Sequence, residues 1–210
     1  MTNKTILNNI ILDLDSNNAS KILRAVKQLQ KKYISGAEDK LVSILISKYR
    51  HKISWEVQSE IIKLIGKQHI VAGLPIIEEI VALNLEHDMV TIQAAAAFLR
   101  LTRGNLSDVN PIISKFGHMS YSVGEGFLSC LGEDSMIPDI KDQNLLISYF
   151  WNFGNPLPLG HIDPRYGLAQ AASKWGTLES MDFLRHCTLS NDTKLCHFAL
   201  KTLKKSGIHI

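Results

Sequence analysis

Between Val57 and Gly132 one helical pattern returns at a fixed step, and a chain that carries such a pattern buries its apolar stripes by stacking one helical pair on the next. Val57, Ile61, Ile62, Ile65 and Gly66 stand at offsets 0, 4, 5, 8 and 9, and Val123, Phe127, Leu128, Leu131 and Gly132 repeat those offsets. Val90, Ala94, Ala95 and Phe98 supply the first four positions in between, with Leu99 where the others have glycine. Successive anchors are 33 residues apart, within the roughly 30 to 50 of two-helix repeats. The expected architecture is therefore all-α, a right-handed α-solenoid of about six helical pairs in a single domain spanning residues 1–210.

Composition agrees with a folded chain. Of 210 residues 45% are apolar and 20% charged, enough to bury a continuous core. The densest apolar run, Ala94 to Leu99, is bracketed by Gln93 and Arg100 and is far short of the roughly 18 residues of a membrane span. The opening MTNKTILNNIILDLD reaches Asp13 and Asp15 without a small-residue cleavage site, so it reads as a first helix rather than a leader. Three cysteines, Cys130, Cys187 and Cys196, suit a reducing cytoplasm better than a disulfide framework.

Charge is distributed in blocks. Residues 1–67 carry 12 Lys/Arg against 6 Asp/Glu, residues 68–164 carry 4 against 11, and residues 165–210 carry 7 against 3. The middle is acidic and both ends are basic. An acidic stretch repels phosphate and attracts cationic partners, although an unevenly charged solvated surface has the same composition.

Local signals place the helices. Asp15, Ser16 and Asn17 are N-cap candidates for a helix presenting Ile22, Leu23, Val26 and Leu29, and Ser54 is the candidate cap for the helix carrying Val57. Pro75 suits a helical first turn, with Ile76, Ile77, Ile80 and Leu83 as the buried stripe that follows. Helices are expected over 111–116 and 144–150 as well. Residues 151–166 (WNFGNPLPLGHIDPRY) hold three prolines and two glycines and form an irregular insertion. Anchoring the next inner helix at Gly167 puts Ala171, Ala172, Trp175 and Gly176 back in register.

These residues resemble the HEAT and armadillo-like helical repeats: a two-helix unit, an apolar anchor opening the inner helix, a small-residue pair, and glycine after its last turn. The pattern departs from HEAT repeats in having Gln58, Thr91 and Gly124 where an arginine would follow the anchor.

Catalytic signatures are not apparent. His186-Cys187 and Cys196-His197 look like four metal ligands about a turn, but neighbouring helical side chains diverge by about 100°, so no metal is expected. No phosphate-binding glycine loop, GxSxG or HExxH occurs, and neither a cofactor nor an enzymatic activity is expected. The candidate partner-binding residues lie elsewhere. Trp55, Asp88, Tyr121 and Arg165 each stand two residues before an inner-helix anchor, with Glu56, Glu60 and Glu125 beside them. Trp, Tyr and Arg dominate interface energetics. The insertion adds Trp151, Phe153, His161, Asp163, Arg165 and Tyr166 as a second surface, with Trp151 and Phe153 equally able to serve as a cover for the core.

The expectation is a non-enzymatic protein-binding module. In size and all-helical character the chain resembles the immunity proteins of bacterial toxin systems, including contact-dependent growth inhibition, and that resemblance implies a cognate toxin, a basic ribonuclease being the type expected. HEAT-like solenoids resembling the alkylpurine DNA glycosylases are the alternative, but their groove needs Lys/Arg where this chain is acidic, so nucleic acid is not the expected partner. A scaffold subunit is the third reading.

Overall fold

The computed structural model describes residues 3–50, 54–153 and 163–207, and all regular structure among them is helical, without a strand. No helix among the described residues is long and apolar enough to cross a membrane. The chain divides into two compact units, Met1–Leu101 and Thr102–Ile210.

The first unit contains α1 (Asn3–Leu14), α2 (Ala19–Lys31), α3 (Glu38–Arg50), α4 (Trp55–Lys67), a 3₁₀ turn at Val71–Gly73, α5 (Leu74–Ala82) and α6 (Met89–Thr102). Helices α1 and α2 pair, as do α3 and α4, while α1 packs on α3 and α2 on α4. Buried along the helices are Ile22, Val26 and Leu29 on α2, Val57, Ile61, Ile62 and Ile65 on α4, and Val90, Ala94 and Ala95 on α6, while the expected Leu23 and Phe98 are half-buried. Small residues permit the α4–α6 approach, since a Cβ on Gly66 would lie 2.8 Å from both Cα and Cβ of Ala97.

Three local expectations in this unit are corrected. Asn18, not one of residues 15–17, caps α2, its side chain accepting from the Ser20 and Lys21 amides at 2.9 and 3.3 Å. Asp15 instead pairs with Lys40, and the Ser16 hydroxyl accepts from the Asn18 amide. Ser54 stands before α4 with φ 53° and makes no side-chain capping bond, because a left-handed backbone points its hydroxyl away from the first-turn amides. Leu83 is 54% exposed: α5 ends at Ala82 and the turn carries Leu83 off the apolar stripe.

The second unit contains α7 (Asn110–Ile113), α8 (Tyr121–Glu133), α9 (Ile140–Phe150), α10 (Arg165–Ala172), α11 (Leu178–Cys187) and α12 (Thr193–Lys205). Helix α10 lies against α8, α9, α11 and α12, and α9 packs on α11. The α8–α10 crossing brings backbone onto backbone. A Cβ on Gly167 would lie 2.1 Å from the Leu128 carbonyl oxygen, and one on Gly132 would lie 2.6 Å from the Gly167 oxygen. Val123, Phe127, Leu128 and Leu131 are buried along α8, and Ala171 and Ala172 along α10.

Element ends differ from expectation here too. Helix α7 covers only 110–113, because residues 114–118 tighten into i to i+3 turns and Gly117 turns back at φ 82°. Helix α9 starts four residues earlier than expected, since Asp139 caps it by accepting from the Asp142 amide at 3.0 Å. Helix α10 stops at Ala172, and Trp175 lies beyond it, buried, with its indole N–H donating to the Met136 carbonyl at 2.9 Å.

Candidate functional site

In the first unit, Trp55 opens α4 and is 55% exposed, far more than a tryptophan serving the core would be. Glu56 beside it is exposed. One turn along, Glu60 is half-buried and accepts from the Gln30 side-chain amide of α2 at 2.7 Å. Asp88 works as a helix terminus: its carboxylate accepts from the Thr91 amide at 2.7 Å and from the Thr91 hydroxyl at 2.6 Å. A carboxylate on the first-turn amides of α6 satisfies donors that have no intrahelical partner.

The second unit gathers most of the remaining candidates into a polar and aromatic cluster. Arg165 opens α10 and is buried, and its guanidinium grips the fully buried Asp163 through Nε at 2.9 Å and Nη2 at 2.5 Å. The other terminal nitrogen, Nη1, donates to the Trp151 carbonyl at 3.1 Å and lies 3.4 Å from His186 Nε2. Asp163 also accepts from the Ser190 hydroxyl at 3.1 Å, and its own amide donates to Asp192 at 3.0 Å. Burial, then the neighbouring guanidinium, lowers the His186 pKa. The imidazole therefore stands neutral, with Nε2 as the acceptor toward Arg165. Hydrogen bonding to Asp163 raises the Arg165 pKa further, so the guanidinium stays charged inside the fold.

The aromatic residues that open the insertion lie on the core. The Trp151 ring stacks on His186 with centroids 4.6 Å apart and tilts against Phe183 at 5.9 Å. Phe153 meets Phe150 edge-on at 5.0 Å, lies near-parallel to Tyr121 at 6.2 Å, and covers Gly124, where a Cβ would fall 2.2 Å from its Cζ. Core cover thus describes the placement of both. Tyr166 meets Phe198 of α12 at 5.3 Å. His161 lies outside the described residues.

Tyr121 and Glu125 occupy successive turns of α8. Burial pushes the Glu125 carboxyl up to about 7, and burial followed by the Glu125 charge raises the Tyr121 phenol. Burial also pushes the Cys187 thiol up to about 12, which leaves it a poor nucleophile at neutral pH.

Sequence reading named Asp163 and Arg165 as a partner-binding surface, whereas both are buried and paired with each other, and it missed their partners His186, Ser190 and Asp192, which come from the α11–α12 region. A pair at i and i+2 in a proline-rich stretch, followed by polar residues at a turn, was the available signal. It could not say which turn would close over which pair. The chain matches no protein-family model, no curated protein and no solved structure.

Proposed function

We propose that this chain is a non-enzymatic protein-binding module built of HEAT-like helical pairs, and within that class an immunity protein that binds and blocks a cognate toxin. The acidic residues of the middle segment favour a cationic partner, of the kind a basic ribonuclease domain presents.

The observation that carries the proposal is Trp55. A tryptophan more than half exposed at the first position of α4, with the exposed Glu56 next to it, combines the side chain most enriched at interface hot spots with a carboxylate that selects a basic rim. Glu78 and Glu79, both exposed on α5, belong to the acidic middle block and add two carboxylates to the same unit.

The test is co-expression and co-purification with any toxin domain found encoded beside this protein. The wild-type chain is expected to protect the host cell and to copurify with that domain, and Trp55→Ala is expected to weaken the complex by about 2 kcal/mol or more, the cost typical of a hot-spot truncation. A Trp55→Ala protein that binds and protects as well as wild type removes the proposed interface. Lack of both binding and protection by the wild-type chain removes the immunity reading.

A further inference from the structure

Helix α12 contains four lysines, Lys194, Lys201, Lys204 and Lys205, and no Asp or Glu in its 13 residues. Lys194, His197 and Lys201 follow one another at i, i+3 and i+7, so they line a single face, and all three are exposed. That face borders an open groove of about 430 Å³ lined by Tyr166, Thr193, Lys194, His197, Phe198 and Lys201. Tyr166 comes from the first turn of α10, and its ring meets Phe198 of α12 at 5.3 Å with 65° between planes, so two half-buried aromatic rings line the groove beside the cations. Asp192, which caps the helix from the position before it, is engaged by the amides of Asp163, Lys194 and Leu195. Burial opposes ionisation there, yet these hydrogen bonds hold its pKa below the ordinary value.

We propose that this groove binds a short single-stranded oligonucleotide, with a base against the Tyr166–Phe198 pair and consecutive phosphates on Lys194, His197 and Lys201. This binding activity is separate from the protein-binding surface proposed above and uses none of its carrying residues. The physical grounds are the combination itself. Lysines alone attract any polyanion, whereas aromatic rings beside them add stacking that only a nucleobase exploits fully. From Lys194 to Lys201 the helix rises about 10 Å, a reach of two to three nucleotides rather than of a long duplex. Helix α2 supplies an internal comparison. It exposes Lys21, Arg24, Lys27 and Lys31 and also lacks an acidic residue, but the groove it borders, lined by Ser20, Leu23, Arg24, Lys27, Gln28 and Lys31, has no aromatic wall.

Fluorescence anisotropy with a labelled oligouridylate octamer tests the proposal, with labelled octaglutamate and a duplex of the same length as comparison probes. The octamer is expected to bind more tightly than either, with log K falling against log salt at a slope of about −1.5 to −2 for two to three phosphates. Lys194→Gln and Lys201→Gln are each expected to weaken binding severalfold and to flatten that slope by about 0.7. Phe198→Leu is expected to weaken binding about tenfold with the slope unchanged, because it removes stacking and no charge. Lys27→Gln with Lys31→Gln should leave binding as it was. A thermal melt of each variant separates lost affinity from lost fold, and the two exposed lysine positions keep the test decisive if Phe198→Leu unfolds. Equal binding of octaglutamate or duplex, an unaltered affinity in folded Phe198→Leu, an equal loss from the α2 variants, or no binding of the octamer overturns the proposal.

Discussion

Arg165 shows how a residue chosen for the right chemistry can be placed in the wrong role. Its offset from the Gly167 anchor matches that of Trp55 from Val57, yet Trp55 is exposed and Arg165 is buried against Asp163. Sequence offset sets the helical position but not what the preceding segment folds back to cover. A buried ion pair loses most when only one partner is removed, since the remaining charge is left without compensation. Asp163→Asn and Arg165→Met are therefore each expected to destabilise the second unit by about 3 kcal/mol, and the double variant by less than the two losses summed. Urea denaturation of the four proteins measures the difference.

Glu125 gives the pH dependence its sign. Its folded pKa of about 7 lies above the ordinary 4.5, so between those values the folded chain keeps a proton that the unfolded chain gives up. Its contribution to stability is complete below pH 4.5, declines as pH rises to about 7, and is flat above. Allowing for partial exposure, Glu125→Gln is expected to add about 1 kcal/mol at pH 8 and nothing at pH 4. Chemical denaturation at the two pH values checks both parts.

Among the helices, the apolar register was the most legible feature and the ends were the least. Val57, Ile61, Ile62 and Ile65, and then Val123, Phe127, Leu128 and Leu131, are buried as their shared offsets require. By contrast, Asn18 and Asp139 begin helices that other polar residues nearby were equally suited to begin, because capping depends on backbone angles that composition does not specify. The glycines of the repeat have different neighbours, and their substitution should rank accordingly. Gly167→Ala drives a methyl into the Leu128 carbonyl and is expected to cost about 3 kcal/mol or more, whereas Gly66→Ala, against Ala97, should cost about 1 to 3 kcal/mol. Gly124→Ala meets the end of the Phe153 ring, which can swing aside, and the gain in helix propensity of about 1 kcal/mol offsets part of its cost. Thermal unfolding of the three variants gives the order. A Gly167→Ala protein as stable as wild type would show that the α8–α10 contact has room for a methyl group.

Over the chain taken together, the charge blocks could be read directly from the sequence, because they need only counting, whereas the division into units at Leu101 and Thr102 could not. That boundary depends on which helices share a core, and a repeat of nearly constant spacing runs across it without interruption. The blocks themselves make a kinetic claim about the proposed protein partner. Exposed like charges act on diffusional encounter more than on the lifetime of the docked complex, and salt screens them within about 10 Å at 0.1 M. Glu78→Lys with Glu79→Lys, a reversal at two exposed α5 positions, is therefore expected to slow association with a cationic toxin domain about tenfold at low salt while changing dissociation little. Trp55→Ala should do the opposite, leaving association nearly as it was and accelerating dissociation. Stopped-flow association at two ionic strengths separates the two effects. If reversing Glu78 and Glu79 leaves the low-salt rate constant untouched, the acidic residues of the middle block are ordinary solvated side chains and steer nothing.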